Sequence, residues 1–399
     1  MTSRGRAVLG LGLLTYVVAR AFGSTPLYPV SLGLLFALVA GWFWVRLARG
    51  PLLLRRELGA EQRLEGDDVH VSLKLEQSGR VPPAAIVICE RISGLGERRT
   101  PLRSSGGTYT LSGLRRGRYA FAETRALIED PFGLARAELP LRAHQTLLVY
   151  PRLVELEQLF SERGSHARDG RRLLLRRPSG FDLHSVREYE QGESLRKVHW
   201  RSTAKRGELM VRELEDAPRD EVAVLLDAEH GGEASAECFD LQVRAAGSLL
   251  LAQARRGRRA LLIVTGSRPT TTRVHSYETD WRQAYDLLAA ASADGRTPAA
   301  ALLGDEGASL ARALELVVVT ASLAPRLVEE LLRRTLSQRR ASLVLVDRAS
   351  FGAAGLHRAP EPAALVRLRA AGVPVALLRR GDELAARLGG ETLPGAAHG

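Results

Sequence analysis

Between Leu27 and Val45 the chain reads LYPVSLGLLFALVAGWFWV, with no charged residue. A helix needs about 20 apolar residues to cross a bilayer core, so this stretch predicts a membrane span. A shorter run, AVLGLGLLTYVVA from Ala7 to Ala19, precedes it and reaches membrane length by taking in Ala21 and Phe22, with Arg20 extending to the interface. Gly23, Ser24, Thr25 and Pro26 separate the two runs. Arg4 and Arg6 come before the first run, Arg46, Arg49, Arg55 and Arg56 follow the second, and the turn carries none. Basic flanks are retained on the cytoplasmic side. Residues 1–50 are therefore expected to form a transmembrane hairpin, with spans at 7–23 and 27–45, in the inner or cytoplasmic membrane. The lipid bilayer is the first expected partner, and the soluble parts are expected in the cytoplasm. Two other readings compete: a signal peptide cleaved at Ala19-Arg20-Ala21, and a buried soluble hairpin. An arginine inside the cleavage site argues against the first. Trp42 and Trp44 beside arginines suit an interfacial belt better than a core.

The full 399 residues leave room for further cores beyond the hairpin. Over residues 57–151 short alternating runs recur, VHVSLKL (Val69 to Leu75), AAIVICERI (Ala84 to Ile92), TYTLSGL (Thr108 to Leu114) and TLLVY (Thr146 to Tyr150). Period-two alternation broken by Gly, Pro and Ser turns predicts an antiparallel β-sandwich. Arg116-Gly117-Arg118-Tyr119 and Asp130-Pro131-Phe132-Gly133-Leu134 read as turns flanking one more strand. Residues 152–179 form a basic connector with a short amphipathic helix expected at Leu153 to Phe160. Beyond Glu221 the apolar runs VAVLL, ALLIV, LELVVVT, SLVLVD and VPVALL alternate with helical stretches such as Cys238 to Arg255, Pro325 to Arg339 and Pro362 to Ala371. Continuous apolar strands between helices predict a parallel sheet covered on both faces, an open doubly wound α/β domain. It is expected within residues 180–389, with a flexible tail at 390–399.

A net charge of +12 would ordinarily suggest a nucleic-acid or anionic-surface partner. The excess is spread along the whole chain and is almost entirely arginine, with lysine only at positions 74, 197 and 205. Its densest soluble stretch, Arg163 to Arg212, holds 13 Arg or Lys against 6 Asp or Glu, without a nucleic-acid motif. No nucleic acid is expected as partner. Cys89 and Cys238 stand apart with no CxxC spacing, which excludes a disulfide framework and a cysteine zinc site. No phosphate loop, dinucleotide fingerprint, HExxH or GxSxG occurs, and no cofactor is expected.

Chemistry-bearing residues concentrate in EYEQGESLRKVHWRSTAKRGELMVRE, Glu188 to Glu213. Ser194 is placed to cap a helix over Leu195 to Ala204, Gly207 to end it, and ELMVRE to continue as a strand leading into VAVLL. Open α/β sheets bind ligands beyond the carboxyl ends of their strands. That draws notice to Asp227 after VAVLL, Thr320 and Ser322 after LELVVVT, and Asp347 after SLVLV.

The stretch FDLHSVREYEQGESLRKVHWRSTAKRGELMVREL, followed by VAVLLD, resembles the signature of the domain of unknown function 58 (DUF58) family. RGRY, DPFGL and VYP resemble that family's upstream region, so the resemblance runs through nearly the whole chain. It implies a membrane hairpin, a β-sandwich and a domain similar to von Willebrand factor type A. It also implies signature or partner-contact roles for Tyr189, Gly192, Arg196, His199, Trp200, Arg201, Lys205, Arg212 and Glu213. Type A domains often carry a metal-dependent adhesion site, Asp-x-Ser-x-Ser. Asp227 matches its aspartate, whereas Glu229 and Gly231 replace the serines, so the site is degenerate and no metal is expected. The family's association with MoxR-type AAA+ ATPases and transglutaminase-like membrane proteins implies a non-enzymatic adaptor or scaffold in assembly or maturation of protein complexes. Two alternatives stay open: a hydrolase using His199 with Glu188 or Glu193, and an Arg-rich nucleic-acid-binding protein.

Overall fold

The computed structural model describes residues 1–59, 63–77, 81, 84–103, 106–162, 183–188, 200–214, 221–229, 236–304, 313–352 and 362–389, with backbone alone at 183–188 and 211–214. The chain divides into two units, Met1–Tyr150 and Pro151–Gly399.

The first unit opens with helices α1 (Ser3–Ala21) and α2 (Leu27–Ala48). Thr2 caps α1, its hydroxyl accepting from the Gly5 amide at 3.0 Å. Gly23, at φ +65°, ends the helix, and the Ser24 amide closes back onto the Ala19 carbonyl at 3.1 Å. The helices pack on each other where a side chain at Gly12 would meet Leu34 and Leu35, and where the Tyr16 and Tyr28 rings meet edge-on at 5.9 Å. Among the described residues one helix, α2, is long and apolar enough to cross a membrane. Most exposed large apolar side chains of the described residues belong to this pair, Leu14, Val17, Phe36 and Phe43 among them.

Two antiparallel sheets follow. One has the order β1-β2-β5, from Leu52–Leu58, Val69–Gln77 and Gly106–Leu111. The other runs β4-β3-β6-β7, from Gly96–Leu102, Ala85–Ile92, Gly117–Glu129 and Arg136–Leu141, with β8 (Gln145–Val149) pairing the first half of β6. Alternate residues of the strands, such as Val69, Val71, Leu73, Ile88, Phe121 and Leu147, share one core. Within that core Arg56 donates to Glu90 through Nε at 2.9 Å and through Nη2. It also reaches the Ala143 carbonyl at 2.9 Å and Thr124 at 3.1 Å, and lies over the Phe121 ring. Tyr109 donates to the other Glu90 oxygen at 2.6 Å. Burial, then the Glu90 carboxylate, holds the Tyr109 phenol protonated well above its usual range. Arg56, counted from sequence with the charges flanking the membrane run, thus belongs to the β core, its side chain 1% exposed. A fully partnered guanidinium is tolerated there because each of its charges and donors has a mate.

The second unit is built on a six-stranded sheet with order β13-β12-β11-β14-β15-β16. Its strands are β11 (Val222–Leu226), β12 (Ala260–Val264), β13 (Thr270–Val274), β14 (Glu315–Thr320), β15 (Arg340–Val346) and β16 (Val375–Leu378). All pairs are parallel except β12 with the edge strand β13. The sheet is therefore mixed, where continuous apolar runs had suggested a parallel one. TTTRV is too polar to read as a core strand, and an edge position accepts it. Alternate residues feed two cores. Val222, Val224 and Leu226 join one that includes helices α4 (Ala236–Arg255), α5 (Tyr277–Ala290) and α9 (Leu384–Leu388). Ala223 and Leu225 join the other, with α6 (Ala299–Gly304), α7 (Pro325–Leu336) and α8 (Pro362–Ala370). The remaining α-helix among the described residues, α3 (Trp200–Arg206), precedes this sheet.

Helix α4 is buried along nearly its whole length. The start of the connector covers part of it, since Leu156, Leu159 and Phe160 enter the same core and the Val154 amide donates to Ser248 at 3.0 Å. A Cβ at Gly247 would lie 2.6 Å from Leu153, so the absent side chain admits this strap. The helical part of the strap is one 3-10 turn, Phe160–Glu162.

Candidate functional site

Two places carry the residues singled out by sequence. The first is the signature stretch. Strand β10 (Met210–Leu214) pairs antiparallel with β9 (Leu183–Glu188), Met210 opposite Glu188 and Arg212 opposite Val186, as a two-stranded ribbon. Helix α3 leads into it. Gly207, at φ +79°, terminates α3, its amide returning to the Thr203 carbonyl at 2.9 Å. The Thr203 hydroxyl then accepts from the Met210 amide at 3.0 Å, tying helix to strand, and Met210 is buried.

None of the α3 residues is buried. Trp200 is 66% exposed, and Arg201, Lys205 and Arg206 are exposed beside it. Arg201 and Lys205 stand four apart, on one helix face, where like charges repel. The fold thus gathers Trp200, Arg201 and Lys205 on one short helix and places Arg212 and Glu213 on the strand that follows. Tyr189, Gly192, Glu193, Arg196 and His199 lie outside the described residues, and Glu188 is described by its backbone in β9.

The second place is the carboxyl edge of the large sheet, where β11 and β14 lie side by side and the order of connection reverses. Such a switch point opens a crevice in doubly wound sheets. Asp227 follows β11, and its carboxylate is buried. One oxygen accepts from the Thr320 hydroxyl at 2.7 Å, the other from the Thr265 hydroxyl at 3.2 Å and from the Glu229 amide at 3.3 Å. The Thr265 oxygen accepts in turn from the Ala228 amide at 2.8 Å, and Thr320 accepts from the Ser322 amide at 2.9 Å. Gly295 closes the corner: its amide donates to the Ala228 carbonyl at 2.8 Å, and a Cβ there would lie 2.5 Å from the Thr265 carbonyl oxygen. The result is a carboxylate whose charge is met by hydroxyl and amide donors.

Asp347, after β15, accepts from the Ala349 amide at 3.1 Å and faces the Arg379 guanidinium at 3.5 Å, the work of a strand-end cap. Cys238 opens α4 nearby. Burial raises its thiol pKa to about 11, which keeps it protonated. Among the described residues no three His, Cys, Asp or Glu side chains gather as a metal site would require. Thr265 is the member of the switch-point cluster that sequence reading did not single out. Its signal is a hydroxyl placed directly after an apolar core run, as Thr320 ends LELVVVT.

A family match falls within this unit. Residues 185–350 match the family model described as protein of unknown function DUF58. The match runs from β9 to the turn after β15, through both places just described. The uncharacterized protein YeaD of Bacillus subtilis (strain 168) is 26% identical over 228 residues, 55% of this chain and 54% of its own length. The chain thus spans about half of that relative. Among solved structures, a conjugative transposon lipoprotein from Bacteroides eggerthii DSM 20697 aligns with TM-score 0.15 and 13% identity, over 23% of this chain and 98% of that one. Cwp6 from Clostridium difficile aligns with TM-score 0.16 and 7% identity, over 75% of this chain and 38% of that one. Scores this low carry no weight for the fold.

Proposed function

We propose that the protein is a membrane-anchored, non-enzymatic adaptor, and that α3 and the β9–β10 ribbon form its protein-docking surface. The observation that carries this reading is the exposed Trp200 on a helix with no buried residue, flanked by Arg201, Lys205 and Arg206. An exposed tryptophan costs solvation without stabilising a core, and Trp and Arg dominate the energetics of protein interfaces.

In this reading α1 and α2 cross the membrane as a hairpin with both soluble units in the cytoplasm. The apolar exterior of the pair and the arginines at its two ends support that placement. The two β-sheets act as a sandwich, and their shared core supports it. The mixed sheet in the order β13-β12-β11-β14-β15-β16 supports a von Willebrand factor type A-like domain. The Asp227 corner then serves as a structural clasp, because Thr265 and Thr320 already supply the donors a cation would otherwise replace. The proposed partner is a MoxR-type AAA+ ATPase, with a transglutaminase-like membrane protein as a second member of the assembly. The DUF58 match and the family's associations support this choice.

The test replaces Trp200 with a photoreactive phenylalanine analogue in membranes of cells that also express the ATPase. A covalent adduct with the ATPase, weakened by Arg201→Glu with Lys205→Glu, is expected. Adducts with lipid or with the chain itself alone would overturn the docking assignment.

A further inference from the structure

We propose that the Asp130–Ala135 turn of the β-rich unit sits inside the bilayer interface, with Phe132 in contact with lipid. The inference rests on the membrane-hairpin reading above and adds a contact that the hairpin alone does not require.

The turn is where the helices dock. The Thr2 amide donates to the Leu134 carbonyl at 3.0 Å, and its hydroxyl to the Gly133 carbonyl at 2.6 Å. Gly5 of α1 lies so close to Leu134 that a Cβ would strike its carbonyl. On α2, a Cβ at Gly41 would lie 3.1 Å from the Asp130 carboxylate, and Val45 packs with Ala135 and Ala137. The turn therefore reaches α2 well before its apolar run ends. From Leu27 to Gly41 the helix climbs about 21 Å, against roughly 30 Å for a hydrocarbon core. With the run to Val45 in the core, Gly41 lies about 6 Å inside its edge, and Asp130 is carried to that depth.

Irregular backbone survives at such a depth when its polar groups find partners within the protein. Most of the polar groups of this turn do so. The Asp130 carboxylate, on a residue only 3% exposed, accepts from the Phe132 amide at 3.0 Å and the Ala135 amide at 2.6 Å. The Gly133 amide returns to the Asp130 carbonyl at 3.0 Å, and the Asp130 amide reaches the Ala135 carbonyl at 3.2 Å. Thr2 takes the Gly133 and Leu134 carbonyls, as described above. What the turn presents outward is Phe132, 68% exposed. Leu134 and Ala135 of the turn help line an apolar groove of about 290 Å³, together with Leu9, Leu35, Leu38 and Trp42. The Arg46 guanidinium lies over the Trp42 ring at 5.7 Å, and Arg4 approaches Gly133. Apolar groups beneath a cationic rim match the layering of a bilayer surface with acidic headgroups.

The test uses the full chain in vesicles of phosphatidylglycerol and phosphatidylcholine in equal parts, with single spin labels at Phe132→Cys, Phe36→Cys or Leu95→Cys. The native Cys89 and Cys238 are buried and escape labelling. Phe36 is exposed in mid-α2. Leu95 lies beyond the Ile92 end of β3, whereas Ala85 at its other end faces Glu129, so position 95 is about 23 Å of strand away from the turn. The label at 132 is expected to match the one at 36 in favouring oxygen over a water-soluble nickel quencher. It should exceed the label at 95 by roughly tenfold in that ratio, since a polar reagent is excluded from hydrocarbon. A label at 36 in lipid with 132 in water would overturn the proposal and leave the hairpin standing. Labels at 36 and 132 both in water would overturn the hairpin and the proposal together.

Discussion

Glu90→Leu in the first unit removes the acceptor on which both Arg56 and Tyr109 depend. The Arg56 side chain is 1% exposed, so its charge cannot turn to water. It keeps the Ala143 carbonyl and the Thr124 hydroxyl, which satisfy donors but not charge. Breaking a buried pair costs about 3–5 kcal/mol, and the stranded Tyr109 hydroxyl falls within the same loss instead of adding fully to it. An expectation of roughly 4 kcal/mol corresponds to about a 10³-fold loss of protection from amide exchange. Because a chain of two units need not unfold in one step, the readout should be local, at the amides of β3 and β6. Arg56→Met with Glu90→Leu should restore most of the protection, because an apolar pair of similar volume is often neutral against a buried ion pair. If Glu90→Leu alone changes β3 exchange by less than about tenfold, the pair is reached by water and the reasoning fails.

Other expectations follow from the second unit. Thr320→Val removes the 2.7 Å donor to Asp227 and should cost about 2 kcal/mol in a denaturant melt, with Thr320→Ser largely sparing it. Gly295→Ala drives a methyl against the Thr265 and Ala228 carbonyls, backbone atoms with little room to yield, and should cost about 1–3 kcal/mol in the same melt. Cys238 should resist iodoacetamide in the native protein until the pH approaches its folded value of about 11. Its raised pKa means the unfolded chain loses the proton first, so the stability contribution is intact below roughly pH 8.5 and declines as the pH rises towards the folded value. A pH series of melts with Cys238→Ala as reference checks the sign.

Much of the fold is legible in the sequence where burial imposes a simple period. The run at Leu27 predicts α2, VHVSLKL predicts β2, and the five apolar runs after Glu221 predict the parallel strands. Legibility fails where a partner elsewhere sets the role of a residue. Arg56 looks like a juxtamembrane cation until Glu90 is brought to it from the other sheet of the first unit. LHSVRE carries no clear period, yet it becomes β9 because Met210–Leu214 lies beside it. TTTRV is readable as strand only once β12 supplies an edge. At the switch point, Asp227 and Thr320 stand out as strand-end polar residues, whereas the choice of Thr265 as the second donor depends on the β11–β12 register. The DPFGL turn reads as a corner, and its role as a seat for α1 and α2 depends on Thr2 and Gly41 arriving there in three dimensions.

The adaptor reading is tested most directly by the affinity of the full chain, held in a lipid nanodisc, for a purified MoxR-type AAA+ ATPase, with and without Trp200→Ala. A buried interfacial tryptophan contributes about 2 kcal/mol or more, so truncation should weaken binding by roughly 30-fold. Trp200 is exposed and α3 buries no residue, so the fold should survive the change. Equal affinity for both proteins, or no binding by either, would contradict the assignment.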